Sequence, residues 1–325
     1  MKARDKDLDE NKERKKLLNY SKAFGLISLT KKRVKMSPYA GRYHSDEVVY
    51  LSYAGRAVPL TNGIDPLEGY RKLREGVALF DVPEKPLSIK GPDAGKFMDK
   101  IFTRNASLMK PMKALYALAC LPNGGILMDG IIIRLAEDHF WYIQADGAFE
   151  SWLSAHKEKF EVEISNRHIW VLQLQGPSTT AIMNELSSGR ITNEMEYYSA
   201  DYFYLGNQRI FVSRTGYTNE LGFELYCEPT IDHKKLWNDL LSVGSKYGME
   251  ISSTRAMTIR RIEGGIRENL VDMGALVNPF EVGLGGFVDL NKNEFIGRDA
   301  LQKNECGQLL YGVKVNAVVP EIGSS

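Results

Sequence analysis

The sequence is poor in cysteine and histidine, and it lacks the motifs that usually accompany them. Its three cysteines, Cys120, Cys227 and Cys306, lie far apart with no CxxC pair. This spacing excludes a disulfide framework and a cysteine metal site, and it fits a reducing cytoplasm. Cys120 and Cys227 stand in apolar runs, which predicts buried free thiols. The five histidines never pair as in HExxH, so we expect no metal centre.

Long apolar runs and nucleotide-binding motifs are also missing. No run approaches the ~20 apolar residues that span a bilayer, and the longest, which starts at Gly130, is interrupted by Arg134. The glycine-rich stretch 278–287 matches neither GxGxxG nor GxxxxGK[ST], and no GxSxG motif occurs. The sequence therefore predicts neither a membrane protein nor a nucleotide-binding protein or serine hydrolase.

Positive charge is concentrated at the start of the chain. Residues 1–35 contain 12 Lys or Arg and 5 Asp or Glu, a local net charge of +7, although the whole chain carries only +1. A basic arm that binds RNA or a membrane surface is one interpretation, and a solvated tail or surface helix is the other. We favour the second because the rest of the chain is slightly acidic, and we expect no nucleic-acid or membrane partner.

Helical and strand patterns alternate from about Gly63 onward. The patterns predict helices at 65–75, 93–101, 149–159, 177–186 and 232–247, and strands at 77–82, 87–91, 113–120, 126–134, 139–145, 169–176, 202–214 and 222–227. The turn Pro122-Asn123-Gly124-Gly125 predicts a hairpin. Mixed helices, strands and hairpins are typical of an α+β fold and not of a doubly wound parallel sheet.

Two stretches, 87–92 and 172–177, have the same pattern of a strand, a Gly-Pro pair and a helix start. An internal duplication with halves near 77–160 and 168–250 is one explanation. Two independent strand-to-helix turns that use the commonest turn residues are the other.

Two carboxylates are candidates for chemistry. Asp129 lies within the apolar stretch 126–134, where an unpaired charge is costly. Such a group is either satisfied by backbone donors or kept for a ligand, and burial would raise its pKa toward the range of proton transfer. Glu224 faces inward if Phe223 and Leu225 face the other side, and otherwise it is a solvated hairpin residue.

Seven landmarks, in order from about residue 60 to 301, resemble the folate-binding transferases typified by glycine-cleavage T-protein. They are Leu79-Phe-Asp-Val82, Ala114-Leu-Tyr116, Gly124 through Asp129, Gln173-Leu-Gln175-Gly-Pro177, Thr215 through Glu224, Arg261-Ile-Glu263 and Phe295 through Leu301. The resemblance implies tandem α/β subdomains around a central channel that binds tetrahydrofolate. It also implies an enzyme that transfers one-carbon units.

The same resemblance implies the site residues. Asp129 matches the catalytic carboxylate near the reactive pterin nitrogen, and Tyr116 and Glu224 match residues of the pterin pocket. One carboxylate can accept both hydrogen bonds from the pterin amino group and ring N–H, and aromatic walls such as Tyr116 and Phe223 would stack on the ring. The full set of expected folate-binding residues is Tyr116, Gln175, Tyr217, Phe223, Glu224, Asn278 and Glu281, with no metal ligand.

Departures from T-protein bear on the reaction. Met257 stands at the position of a folate-holding arginine, with Arg255 two residues earlier. Met128-Asp129 replaces paired aspartates, which is more similar to the family's demethylase branch, as is the stretch Asn278-Pro-Phe-Glu281. The resemblance therefore implies transfer of a methyl group from a small O-, S- or N-methylated donor to tetrahydrofolate.

Three alternatives remain open. The first is the aminomethyl transfer of glycine cleavage, and the second is a non-catalytic folate-binding module like the branch that assists iron–sulfur assembly. Glu294 stands where that branch has a cysteine, which counts against the second. The third is a flavin-linked sarcosine or dimethylglycine oxidase, which would need a partner to supply the flavin domain.

The predicted organisation has three parts. Residues 1–60 form a basic arm and an irregular lead-in, 61–305 the folate-binding domain, and 306–325 the start of a truncated C-terminal domain. Family members continue into a β-barrel that closes the folate channel, so we expect either that the chain is a fragment or that a second chain supplies the barrel.

Overall fold

The structure, a computed structural model, describes residues 34–303 and 307–314. Residues 36–310 form one compact unit. Of the other unit, residues 1–35 and 311–325, the structure describes 34–35 and 311–314 only. The predictions for the basic arm, for Cys306 and for most of 306–325 therefore lie outside the described residues.

Helices and strands alternate through the described chain. In order they are β1 (Lys35–Met36), α1 (Ala40–Tyr43), β2 (Val48–Tyr53), β3 (Arg56–Asn62), α2 (Pro66–Glu75), β4 (Ala78–Val82), β5 (Lys85–Lys90), α3 (Ala94–Ile101), β6 (Lys113–Cys120), β7 (Ile126–Ala136), β8 (His139–Gln144), α4 (Phe149–His156), β9 (Glu163–Asn166), β10 (Trp170–Gln175), α5 (Thr179–Leu186), β11 (Ala200–Leu205), β12 (Gln208–Ser213), β13 (Gly222–Cys227), α6 (His233–Gly244), β14 (Glu250–Ile251), α7 (Thr254–Glu263) and α8 (Arg298–Gln302). Single turns of 3-10 helix occur at Ser245–Tyr247 and Gly285–Phe287.

The strands from β4 to β14 form two sheets of similar topology. The first has the order β11-β12-β13-β10-β4-β14 and the second β6-β7-β8-β5-β9. In each sheet a strand is followed by a helix and then by three antiparallel strands, and the last of these pairs with the first strand. The same plan thus occurs twice, as an internal duplication would produce, and the duplication itself stays a hypothesis.

The sheets and helices pack in four layers. One apolar core lies between the first sheet and helices α5 and α6, and another lies between the second sheet and helices α3 and α4. A third core lies between the two sheets, where Trp141 of β8 contacts Phe211 of β12 and Tyr226 of β13. Each large apolar side chain that is fully buried contributes ~1.5–3 kcal/mol, so these cores fix which face of each strand looks inward.

The two Gly-Pro turns have the same physical requirement. At Gly91 φ is +149° and an added Cβ would lie 2.1 Å from the carbonyl oxygen of Glu161. At Gly176 φ is +125° and the added Cβ would lie 2.5 Å from the carbonyl oxygen of Gly76. Only glycine tolerates both the positive φ and the nearby carbonyl oxygen. This requirement explains why the same Gly-Pro pattern occurs at both strand-to-helix turns.

Most predicted elements are present, and mixed helices with largely antiparallel sheets are confirmed. The N-cap of α2 is Asp65, whose carboxylate accepts from two backbone N–H groups, and β6 has the predicted bounds. The predictions missed the helices α1, α7 and α8, the short strands β1, β9 and β14, and the hairpin of β2 and β3, most of which lies within the expected irregular lead-in. No closed barrel occurs in the described ranges.

Candidate functional site

The candidate site lies on the inner faces of the two sheets. In β13, Glu224 and Tyr226 point toward the other sheet, and Glu224 stands directly opposite Gln173 of β10 and Ser213 of β12. In β7, Asp129 shares the inner face with Ile131 and Ile133 because side chains alternate along a strand. Each sheet therefore presents one acidic residue to the space between the sheets.

Asp129 is a buried carboxylate with one oxygen engaged. Its side chain is 6% exposed, and the Tyr116 hydroxyl donates a hydrogen bond of 3.0 Å to Oδ2. The other oxygen, Oδ1, has no hydrogen-bond partner within the described part of the chain. Burial raises the pKa of Asp129 to about 6, although the bond from Tyr116 acts in the opposite direction. A carboxylate with this pKa can exchange a proton near neutral pH.

A long connection between α7 and α8, residues 264–297, passes close to Asp129. Its Glu268 adds to the negative potential at Asp129, and its Phe287 packs edge-on against Tyr116 with ring centroids 4.9 Å apart. The connection also runs against the backbone just before β7, because a Cβ on Gly125 would lie 2.0 Å from the carbonyl oxygen of Ala275. This close approach explains why glycine precedes β7.

Arg261 of α7 anchors the same connection. Its guanidinium is buried and forms ion pairs with Glu268, at 2.6 Å, and with Asp272. By contrast, Met257, at the position of the T-protein arginine, lies in the core between the sheets, and Arg255 is exposed. The guanidinium of Arg261 thus holds the protein's own carboxylates.

A second polar cluster surrounds Glu224. Its oxygens accept hydrogen bonds from Gln173 at 2.7 Å, Thr215 at 2.8 Å and Tyr226 at 2.7 Å. The amide nitrogen of Gln173 also donates to Glu84, at 2.9 Å. Burial and the proximity of Glu224 raise the pKa of Glu84, and burial raises that of Glu224. Two carboxylates are therefore held together by one amide group.

Tyr53 at the end of β2 connects the two acidic regions. Burial raises its pKa well above the usual value, and the negative charges of Glu84 and Asp129 raise it further. One phenol thus lies within electrostatic range of both carboxylates. The tip of the same hairpin is fixed by a bond of 2.6 Å from the backbone N–H of Ala54 to Asp146. The lead-in hairpin is therefore part of the site.

Tyr116, Tyr217 and Glu224 are brought close to this space, as the sequence predicts for ligand contacts. Tyr217 donates its hydroxyl to the carbonyl oxygen of Arg267 at 2.8 Å, and burial and then Asp129 raise its pKa. The contact of these residues with folate stays a prediction.

Phe223 was expected to stack on the pterin, and its position contradicts that role. The side chain is fully buried in the core between the first sheet and helices α5 and α6. The reason is strand alternation, because Glu224 faces the other sheet and its neighbour must then face the helices.

Gln175 is fully buried and bound to the protein at both polar atoms. Its amide nitrogen donates to the carbonyl oxygen of Thr215 at 3.2 Å, and the Thr218 hydroxyl donates to its amide oxygen at 2.6 Å. The side chain therefore fills the loop between β12 and β13, where glycines at 216 and 222 leave room for it. Its geometry is that of a residue that positions Thr215, and direct contact with folate stays a prediction.

Asn278 and Glu281 cap a turn. The Asn278 amide oxygen accepts from the backbone N–H of Phe280 and of Glu281, and the Glu281 carboxylate accepts from the backbone N–H of Asn278 at 2.8 Å. Its other oxygen accepts from Gly307 at 2.9 Å and from Gln308. Burial would raise the pKa of Glu281, but these backbone bonds outweigh it and lower the pKa. Folate binding by this pair stays a prediction.

The sequence patterns did not identify Glu84 or Tyr53 as site residues. They placed Gln173 in a family landmark but did not predict that it binds a ligand. Gln173 carried a signal, because it is polar, lies in an apolar strand and is two residues from Gln175. Glu84 follows β4 after Pro83, in a place that looks like an ordinary solvated turn. Cys120 and Cys227 are buried free thiols, as predicted.

Residues 34–303 and 307–314 contain neither a metal-ligating cluster nor a membrane-spanning helix. No group of three His, Cys, Asp or Glu side chains there is arranged to hold a metal ion. Within the same ranges no helix combines the length and the apolar character that crossing a membrane requires.

Comparisons with known proteins agree with one another. The family model described as "GCVT N-terminal domain" matches residues 66–292. An aminomethyltransferase of Clostridium botulinum (strain Okra / Type B1) is 33% identical over 280 residues, which cover 84% of this chain and 75% of that protein. An aminomethyltransferase of Thermoanaerobacter pseudethanolicus is 29% identical over 278 residues with the same coverage.

A solved structure has the same fold. The crystal structure of glycine cleavage system aminomethyltransferase T from Bartonella henselae superposes with a TM-score of 0.74 and 26% identity. The match covers 83% of this chain and 74% of that structure. The mixed α/β architecture described above is thus that of a glycine-cleavage T-protein.

Proposed function

The chain belongs to the family of the GCVT N-terminal domain, and from this premise we propose that it transfers an aminomethyl-derived one-carbon unit to tetrahydrofolate. It is an enzyme, a tetrahydrofolate-dependent one-carbon transferase. The observation that carries the proposal is Asp129, a buried carboxylate with Oδ2 held by Tyr116 and Oδ1 without a partner in the described chain. A scaffold gains nothing from such a group, because an unpartnered buried acceptor costs ~1–3 kcal/mol.

The polar groups of the site fit a pterin. When bound, tetrahydrofolate supplies the nucleophilic ring nitrogen and the neighbouring amine that accept the carbon. Asp129 would face this reacting end, where its negative charge stabilises positive charge that develops on nitrogen or takes up the released proton. Glu224, Gln173 and Glu84 would face the other end, where acceptors can meet the pterin N–H groups. Tyr116 would hold Asp129 in place and form one wall.

Aminomethyl transfer fits the relatives better than the demethylation that the sequence favours. One argument for demethylation was Met128 in place of the first of two aspartates. Met128, however, packs into the core between the second sheet and its helices, on the face opposite to Asp129. The replacement therefore leaves the inner face of β7 as it is.

Methyl transfer remains the second candidate, because the stretch Asn278-Pro-Phe-Glu281 resembles the demethylase branch. The two reactions differ in their products. An aminomethyl group loses its amine when its carbon bridges two folate nitrogens, so ammonia is released, whereas transfer of a methyl group releases none.

The test is to incubate the purified chain with tetrahydrofolate and one of two donor classes. The first is an aminomethyl-loaded dihydrolipoyl protein, and the second is a panel of O-, S- and N-methylated small molecules. Mass spectrometry of the folate and an ammonia assay then identify the reaction. We expect ammonia and a methylene-bearing folate with the first class. A methylated folate without ammonia would instead establish the second candidate, and no folate product with either class would contradict both.

A further inference from the structure

Gln173 bridges two acidic side chains that approach it from different strands and loops. Its amide nitrogen is 2.9 Å from Oε1 of Glu84 and 2.7 Å from Oε1 of Glu224, so both amide hydrogens are used. The side chain is fully buried, and the remaining oxygen of Glu224 accepts from Thr215 and Tyr226. Gln173 thus has no donor left for a ligand.

The orientation of this amide follows from its neighbours. Both groups that touch the nitrogen are carboxylate oxygens, which accept hydrogen bonds, so the nitrogen must face them and the amide oxygen must point away. That oxygen has no hydrogen-bond partner in the part of the chain that the structure describes, and the same holds for Oε2 of Glu84. Two side chains that contact each other thus each carry one buried acceptor without a donor in the described chain.

No neighbouring cation in the described chain satisfies these acceptors directly. Arg56 is the nearby guanidinium, but its nitrogens donate to the backbone carbonyl oxygens of Glu84 and Ile169, each at 2.7 Å. Its planar group also lies over the ring of Trp170, 4.2 Å from the centroid. The negative charge of Asp81 adds to that at Glu84. The cluster accepts hydrogen bonds and needs a ligand that donates them.

We propose that Glu84 and Gln173 read the hydrogen-bond-donor edge of the bound pterin, with the free Glu84 oxygen and the free Gln173 oxygen each accepting from one of two adjacent N–H groups. This inference rests on the proposed function, because it assumes that the ligand is a reduced folate. Under this proposal Glu84 and Gln173, and not Glu224, form the direct hydrogen bonds with that edge. Both oxygens of Glu224 already have protein partners, and Glu224 holds Gln173 in place.

The chemistry predicts a specific effect of Glu84→Gln. Because Gln173 donates to one side of residue 84, a glutamine there must turn its oxygen toward Gln173. Its NH₂ group then occupies the position of the free oxygen and faces the N–H groups of the pterin. Two hydrogen-bond donors, the NH₂ group and the pterin N–H, would then face each other. The variant therefore keeps the size of the side chain but loses the acceptor.

The experiment compares two ligands on two proteins. Dissociation constants are measured by calorimetry for tetrahydrofolate and for its 2-desamino-2-methyl analogue, which lacks the amino group of that edge. For the unmodified protein we expect a preference of ~10-fold or more for tetrahydrofolate, because the analogue leaves one buried acceptor without its donor. Glu84→Gln should reduce this preference to about threefold or less by weakening tetrahydrofolate binding, with the analogue changed little. Glu158→Gln, at an exposed position, is the matched control and should keep the full preference.

The outcomes separate the inference from the function on which it rests. A Glu84→Gln protein that keeps the full preference overturns the inference, and so does an unmodified protein that binds both ligands equally, whether or not the variant folds. If the unmodified protein binds neither ligand, the proposed function has failed first. If both proteins discriminate only after a donor substrate is added, the cluster reads the donor and the inference is wrong.

Discussion

The hydroxyl of Tyr116 donates a hydrogen bond of 3.0 Å to Oδ2 of Asp129, across the neighbouring strands β6 and β7. It is the hydrogen bond that holds this carboxylate, whose other oxygen has no partner in the described chain. Burial and this bond act on the pKa of Asp129 in opposite directions, and burial prevails. The pKa of Asp129 should therefore change when Tyr116 is replaced.

Replacing Asp129 with asparagine should abolish turnover and preserve most of the tetrahydrofolate affinity. The amide keeps the shape and can still accept from Tyr116, but it cannot carry the negative charge that catalysis requires. We expect kcat to fall at least ~100-fold, the usual size for loss of a general acid–base group, and Kd to change less than about threefold. Single-turnover kinetics and calorimetry measure the two quantities. Asp138→Asn, at the exposed turn after β7, is the control, and normal turnover in Asp129→Asn would refute the central role of this residue.

Replacing Tyr116 with phenylalanine should move the acid limb of the pH profile of kcat upward. The hydroxyl favours the ionised form of Asp129, so its loss raises the pKa of Asp129 above its present value of about 6. A hydrogen bond to a charged group corresponds to a shift of roughly 1–2 pH units. Activity at pH 6 should then fall much more than activity at pH 8.5. Tyr204→Phe, an exposed tyrosine of β11, should leave the profile unchanged, and a uniform loss at all pH values in Tyr116→Phe would indicate a purely structural role.

Asp129 should also destabilise the folded protein at neutral pH. Its pKa rises from 3.8 in the unfolded chain to about 6 in the folded protein, so the folded state binds more protons between these values. The stability that depends on this group is complete below pH ~4 and is lost as the pH rises through 6. Asp129→Asn removes this loss. The variant should therefore exceed the unmodified protein in free energy of unfolding by little at pH 4 and by up to about 3 kcal/mol at pH 7.5. Urea denaturation of both proteins at the two pH values measures it, and an advantage that does not depend on pH would contradict the assignment.

Local patterns in the sequence predicted local structure well. Asp65 and Gly76 mark the ends of α2 because capping depends on neighbouring residues only. The hairpin of β2 and β3 was missed because Pro59 interrupts the strand pattern. In the structure Pro59 pairs with Tyr50 where the register shifts, which is where a sheet tolerates proline.

The site was only partly predictable, for a different reason. Asp129 was found because a charge inside an apolar strand is conspicuous by itself. Glu84 was missed because it is 89 residues from Gln173 along the chain, and its burial arises only when the sheets assemble. Phe223 was misplaced because the resemblance suggested a wall residue, although alternation with Glu224 already placed it on the opposite face.

Gln175→Met should reduce stability more than folate affinity. The variant leaves the carbonyl oxygen of Thr215 and the hydroxyl of Thr218 without their side-chain partner in a buried loop. Two such losses amount to roughly 2–4 kcal/mol of unfolding free energy. Denaturant titration and calorimetry with tetrahydrofolate, on protein that is still folded, give both quantities. Gln302→Met on the exposed end of α8 is the control, and a loss of affinity without a loss of stability would show that Gln175 binds folate directly.

Glu281→Gln should weaken the turn at Asn278 in a pH-dependent way. The carboxylate accepts from backbone N–H groups on both oxygens, and a glutamine must place an NH₂ group against one of those donors. Because the carboxylate of Glu281 is partly exposed, solvent screens its charge. We therefore expect a cost of about 1 kcal/mol in free energy of unfolding at pH 7.5, as for the loss of a helix cap.

The effect of Glu281→Gln should depend on pH. The pKa of Glu281 is lowered in the folded state, so its contribution to stability is complete above the unfolded pKa and disappears as the pH falls through the folded value. The variant and the unmodified protein should therefore differ in free energy of unfolding at pH 7.5 and converge below pH 4. Glu158→Gln should show no difference at either pH. If Glu281→Gln instead leaves stability intact and lowers tetrahydrofolate affinity tenfold, the carboxylate serves the ligand and not the turn.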